Sequence, residues 1–491
     1  MMRRATRLLV LTGVLAAAGA LLGTSRAAAA QPLGMVCTNG PSFTLGATSG
    51  TIETPDGNTI FMWGYANDAT GGAYQDPGPV LCVNQGDVVH VTLNNHLAEP
   101  VSIVFPGQEG VTAAGGSAGL LTGEAAPGGS VTYTFTASQP GTYLYESGTD
   151  PSKQVEMGLY GAIVVRPAGH PNWAYNDART AFDPSREFLL VFHSIDPFLH
   201  QDVQNGVPYD FSTFHARYFT VTGRAFPDTI QANAIGWLPT QPYGSLVRVS
   251  DDAPSPALVR IVNASVLNHP WHPHGFHLRT IAQDGRLLAS PAGADASVEH
   301  FGDVVPAGAT QDNLFTFVER DRFCSGSACT AAGYAAQKPI PVTLPSYQDL
   351  TFKDNKTWYS GSPYLGVKGT LPTLVTSYNV CGEFYFPWHS HALNEFVNYD
   401  EGFGGLATLL RVDPAPGCTA FASSTKLLAT PPNTAVSGSF VSGTSSDLSE
   451  FGDTSYYVLA STTVQSSSPC TSRGDWCRRL RRRSRRRTSP S

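Results

Sequence analysis

Two short windows hold six of the thirteen histidines in this 491-residue chain. The first, NHPWHPHGFH, carries His269, His272, His274 and His277; the second, WHSHALNEF, carries His389 and His391. On a β-strand, side chains two residues apart project from the same face. His272 therefore projects with His274, and His389 with His391. If the two strands are neighbours, four imidazoles converge, and neutral imidazole suits copper, zinc, iron or nickel. His269 and Glu395 stand in a second rank, Glu395 as an oxygen ligand suited to manganese or iron. For Glu395, a surface carboxylate and a partner for Arg279 remain open readings. His277 follows a glycine and is expected to point away from the cluster.

Such windows need strands to carry them, and the rest of the chain supplies strand-like sequence. Gly (49) and Pro (36) are plentiful and charge is low at 14%, a composition that favours an all-β protein with many turns. VNQGDVVHVTLNN (83–95) alternates apolar and polar residues as a half-buried strand does. GSVTYTFTA (129–137), GAIVVRP (161–167), FLLVFHSI (188–195), ALVRIVNAS (257–265), NLFTFVE (313–319) and GGLATLLRV (404–412) read as further strands. Residues 170–187 are polar and aromatic without a period, which suggests a linker over 169–187. Residues 320–365 look like a long insertion, and 413–472 form a Ser/Thr-rich region.

The N-terminus has a basic start at Arg3, Arg4 and Arg7, an apolar stretch from Leu8 to about Gly23, and small residues at Ala27 to Ala30. This reads as a secretory signal peptide over 1–30, so the protein is expected to be secreted or extracellular, without a transmembrane anchor after cleavage. Eight cysteines in a secreted chain are expected to form disulfides, with connectivity left open. Between residues 31 and 472 there are 18 basic and 37 acidic residues, so the body is acidic and nucleic acid is excluded as a partner on electrostatic grounds. Nine arginines crowd the last nineteen residues, 473–491. That tail is read as a shifted reading frame, ahead of a solvated basic run or an adhesive segment. GGSAG (115–119) fits a hydrolase pattern, but no strand-turn-helix surrounds it.

The two β regions repeat each other. SIVFPG (102–107) and GTYLYESG (141–148) in the first correspond to PWHPHG (270–275) and FYFPWHSH (384–391) in the second. Aligned on the shared glycine, Val104 and Pro106 fall opposite His272 and His274, and Glu146 and Gly148 opposite His389 and His391. One unit is used twice, with histidines only in the second copy.

HPWHPHG and WHSHALNEF…GFGGL resemble the paired copper motifs of the multicopper oxidase family, laccase-like cupredoxin proteins. TPDGNTIFMWGY, PGPVLCVNQGDVVHVTLNNHL and GTYLY resemble that family's first domain, and the likeness runs from about residue 43 to 412. It implies two cupredoxin-like Greek-key β-sandwiches, at 31–168 and 188–412. It implies copper, with manganese, iron or zinc as alternatives, at His272, His274, His389 and His391. The family's remaining trinuclear-cluster ligands match Val104, Pro106, Glu146 and Gly148, none of them histidine. Its type 1 site matches His269, but Ser390 replaces the thiolate cysteine and Glu395 the second histidine. A serine hydroxyl cannot substitute for a thiolate, so no blue copper is expected. The reading is therefore a secreted multicopper-oxidase-like metal-binding protein whose residual oxidoreductase activity is left open. The alternative is a non-catalytic cell-surface or matrix protein on the same scaffold. A homotrimer, as in two-domain relatives, and association with cell wall or surface stay open as partners.

Overall fold

Alternating burial shapes the first sandwich. In the Ser130–Thr136 strand Val131, Tyr133 and Phe135 are buried and their neighbours are not, which commits one face to a core. The computed structural model describes residues 34–250, 253–317, 356–357, 366–367, 384–402 and 404–413. One sheet runs in the order Thr59–Asn67, Ser42–Glu53, Val88–Asn95, Ser130–Thr136, Thr112–Ala114. The facing sheet runs Thr38–Asn39, Leu81–Asn84, Tyr160–Arg166, Gly141–Glu146. Leu45, Tyr65, Leu81, Val91, Tyr133, Tyr145 and Ile163 fill the space between them. The stretch expected as a single strand over 83–95 is two strands in different sheets. Gly86, at φ 92°, makes the turn that separates them, a backbone conformation that side chains with a Cβ resist.

The second sandwich repeats the plan. One sheet runs Tyr218–Val221, Glu187–Ile195, Ala257–Asn263, Thr310–Phe315, Leu278–Gln283. The other runs Val247–Ser250, Ala407–Asp413, Phe384–Ser390, His269–Pro273, Asp303–Val305. Phe188, Phe192, Ile261, Trp271, Trp388 and Leu410 make its core. The fold is thus all-β, built as β-sandwiches.

A third apolar cluster joins the two. Val80, Cys82, Leu144, Tyr160, Ala162 and Val164 from the first sandwich pack with Leu189, Val191, Val262 and Ala264 from the second. This seam explains why the Glu187–Ile195 strand is buried on both faces and lacks alternation. Arg260, fully buried, crosses the same seam. Its Nε donates to Glu187 Oε1 (2.8 Å), and its Nη1 donates to Asp312 Oδ1 (3.2 Å) and Thr142 Oγ1 (2.8 Å). Arg166 Nη2 reaches the other Glu187 oxygen at 2.7 Å. Burial pushes the Glu187 carboxyl up, but Arg260 and Arg166 outweigh it and hold it below its usual range.

The segment expected as a linker is packed rather than free. Ala174, Tyr175 and Phe182 are buried against Leu258, Ile281 and Leu314, and Tyr175 Oη donates to Asp312 Oδ2 at 2.5 Å. A disulfide joins Cys37 to Cys82. The signal peptide, the other six cysteines, nearly all of the 320–365 insertion, the Ser/Thr-rich region beyond Asp413 and the arginine tail lie outside the described residues.

Candidate metal centre

The His269–Pro273 and Phe384–Ser390 strands are antiparallel neighbours, with His272 directly opposite His389 and Trp271 opposite Ser390. Residues directly opposite one another share a face of the sheet. The pairing therefore sends His272 and His389 to one side and Trp271, Ser390 and His269 to the other. On the first side, ring centroids lie 5.0 Å apart for His272 and His274, 5.4 Å for His272 and His389, and 5.6 Å for His274 and His389. One ring nitrogen from each of His272, His274 and His389 falls within 4.8 Å of the others. His391 is exposed, its ring 5.1 Å from that of His272, and stands at the open edge of the group.

Two carbonyls fix the rings. His272 Nδ1 donates to Phe301 O (2.5 Å) and His389 Nδ1 to Ser390 O (2.7 Å), so each presents its Nε2 lone pair. His274 Nδ1 lies 3.3 Å from His389 Nε2. Two ligands at the usual metal–imidazole distance in a tetrahedral shell are ~3.3 Å apart, so these nitrogens are spaced to share one ion. Burial, reinforced by the neighbouring imidazoles, pulls His389 down to about 4 despite its bond to Ser390 O. Burial, His272 and His391 lower His274 as well. Both rings are neutral near pH 7, as a ligand must be. The donor set fits a single transition-metal ion held by imidazole.

His269 and Glu395 form a separate group on the opposite face. His269 is fully buried and its Nδ1 donates to Glu395 Oε2 at 2.9 Å; Ser390 Oγ donates to the same oxygen at 2.5 Å. Glu395 is therefore neither a surface carboxylate nor the partner of Arg279, which among the described residues faces Asp295 at 3.9 Å. The reason is local. The 3-10 turn Leu393–Glu395 folds back onto the sheet, and Gly405, at φ 64°, lets the backbone pass where a Cβ would lie 2.3 Å from Glu395 O. With no thiolate among His269, Ser390 and Glu395, and the three engaged with one another, these residues do not fit a type 1 copper. His277 is exposed beside Phe301, outside both groups. The role of the Phe301 carbonyl has no sequence signal, because any residue carries that acceptor.

The first sandwich holds the matching position without ligands. Val104 and Glu146 are bridged by reciprocal backbone bonds of 2.8 and 3.1 Å, the counterpart of the His272–His389 pairing. A Cβ on Gly148 would lie 2.6 Å from Val104 Cγ1, so that corner has no room for a larger side chain without movement. Pro106 is exposed.

The scaffold is a pair of β-sandwiches, the second carrying the histidines on neighbouring strands of one sheet. Residues 57–170 match the sequence model of the multicopper oxidase family. The chain is 33% identical over 135 residues to the iron transport multicopper oxidase fetC of Epichloe festucae, covering 27% of this chain and 20% of the relative. It is 39% identical over 98 residues to Laccase-1 of Cryptococcus neoformans var. neoformans, covering 19% of this chain and 15% of the relative. Among solved structures, a blue copper oxidase from Nitrosomonas europaea aligns at 16% identity over 75% of this chain and 85% of its own, with a TM-score of 0.48. The matched stretches thus span a fifth or less of these two relatives' own length. The family match rests on residues 57–170, and a multicopper oxidase domain implies copper as the metal. Among the described residues no helix is long and apolar enough to cross a membrane.

Proposed function

We propose that this is a secreted copper-binding protein of multicopper oxidase type, with the metal held by His272, His274 and His389, and His391 as a fourth ligand from the exposed edge. The observation that carries the reading is the convergence of three ring nitrogens within 4.8 Å, two of the rings oriented by backbone carbonyls. Copper, when bound, supplies one-electron redox chemistry. The chain's own residues hold His274 and His389 neutral, fix which nitrogen of His272 and of His389 faces inward, and leave the His391 edge open to solvent. Without a blue centre to relay electrons, a reductant has to reach that open edge itself. Oxidoreductase activity, where present, is confined to small molecules that do so. The division into sandwiches at 31–168 and 188–412 belongs to the same proposal.

A second reading is a non-catalytic surface or matrix protein. The Val104–Glu146 pair favours it, because the repeat that would complete a larger cluster offers none of the four matching histidines. Metal analysis of the mature protein separates the two. Stoichiometric copper in the wild type, lost in His272→Ala and His389→Ala, supports the first; absence of any stoichiometric metal overturns it.

A further inference from the structure

The group formed by His269, Glu395 and Ser390 lies directly behind the histidine cluster, and it touches both strands that carry the ligands. His269 is three residues before His272 on one strand. Ser390 sits between His389 and His391 at the end of the other. A single oxygen, Glu395 Oε2, accepts from His269 Nδ1 at 2.9 Å and from Ser390 Oγ at 2.5 Å. Ser390 Oγ in turn accepts from the backbone N–H of Ala392 at 3.2 Å, which holds the bend that carries His391. The three side chains are at most 5% exposed, so water does not compete for these bonds.

We infer that Glu395 is a positioning residue for the histidine site: its carboxylate bridges the two ligand-bearing strands from behind, at the end of the His272–His389 pairing, and holds the bend that carries His391 beside them. The inference rests on the metal-binding reading given above. The physical ground is the antiparallel ladder itself. His272 pairs with His389 and Trp271 with Ser390, and His391 N–H donates to Pro270 O at 2.7 Å, so the ladder closes at His391, one pair past the ligands' own pairing. Past that bond, at His269 and Ala392, the strands are held by side chains. The Glu395 bridge is such a tie, placed on the face opposite the ligands, where it does not compete for the metal. Partners that orient ligands from outside the coordination shell commonly govern metal affinity by about 10–100-fold.

The test uses the full-length protein, with Cu(II) and Co(II) each titrated alone. Three variants are compared with the wild type: Glu395→Ala, which removes the bridge; Glu395→Gln, whose carbonyl oxygen can still accept from both donors; and Ser390→Ala, which removes one arm. Metal affinity, the Co(II) absorption spectrum and the thermal midpoint of the metal-free protein are read for each. The expected result is Cu(II) affinity lowered about 10–100-fold in Glu395→Ala with an altered Co(II) spectrum, a smaller loss in Ser390→Ala, and wild-type behaviour in Glu395→Gln. A Glu395→Ala protein that melts earlier yet binds Cu(II) with wild-type affinity and spectrum reduces Glu395 to a structural residue and overturns the inference. Should Glu395→Ala fail to fold, unchanged affinity in Ser390→Ala overturns it equally. If the wild type takes up neither metal, the metal-binding reading falls and this inference with it; if the wild type binds and all variants bind alike, only this inference falls.

Discussion

At the scale of single residues, the chemistry depends on which face of a strand a side chain leaves from. His272 and His389 were legible as partners because the H-x-H spacing matches the two-residue period of a strand, and the structure pairs them directly. Glu395 was legible only as a nearby carboxylate. Its burial comes from a turn and from the close passage of Gly405, neither of which leaves a periodic trace in sequence. Two outcomes belong here. His272→Ala and His389→Ala are each expected to abolish stoichiometric metal uptake while leaving the fold intact, read by mass spectrometry of the metal and by circular dichroism. The second concerns Asp76, which is fully buried, so that burial pushes its carboxyl up to about 7 from an ordinary value of 3.8. Its stabilising contribution is fully present below the unfolded value and is lost as pH rises through 7. Asp76→Asn removes that dependence and is expected to gain on the wild type between about pH 4 and about pH 9 by on the order of 4 kcal/mol in urea unfolding. His193 and His200, lowered to about 3 and about 4 chiefly by burial, lose their contribution as pH falls below 6.5. They act alike in both proteins and cancel in the difference. A constant difference across that pH range would contradict the account.

At the scale of elements, the strands that alternate were readable and those at the seam were less so. Ser130–Thr136 shows its buried face in its letters, whereas Glu187–Ile195 is buried throughout and betrays only that it is apolar. The 83–95 stretch misled because Gly86 hides a sheet change inside an alternating pattern. Arg260 gave no sequence signal at all, since one arginine in an apolar strand does not name its partners. In the fold it neutralises Glu187 and Asp312, which are themselves buried. Removing one partner of a buried ionic network leaves charges unpaired. Arg260→Ala is therefore expected to cost roughly 3–5 kcal/mol in denaturant unfolding. A loss below about 1 kcal/mol, the range of an exposed pair, would show that the seam is not held this way.

At the scale of the molecule, one structural unit is used twice and its two copies have parted in chemistry. The repeat could be aligned in sequence, and its pairing recurs in the fold as Val104–Glu146 against His272–His389. What the sequence left open was how the substituted positions accommodate the loss of ligands. The first copy fills its corner with Gly148 against Val104, and the second closes His269, Ser390 and Glu395 onto one another. The central claim is that the molecule keeps a histidine-held metal site and has no blue copper centre. The most direct measurement is Cu(II) titration of the purified wild-type protein, followed together by EPR and visible absorption. The account predicts stoichiometric uptake with a nitrogen-ligated, non-blue EPR signal and no intense blue band. A blue band, or no stoichiometric copper, would contradict it.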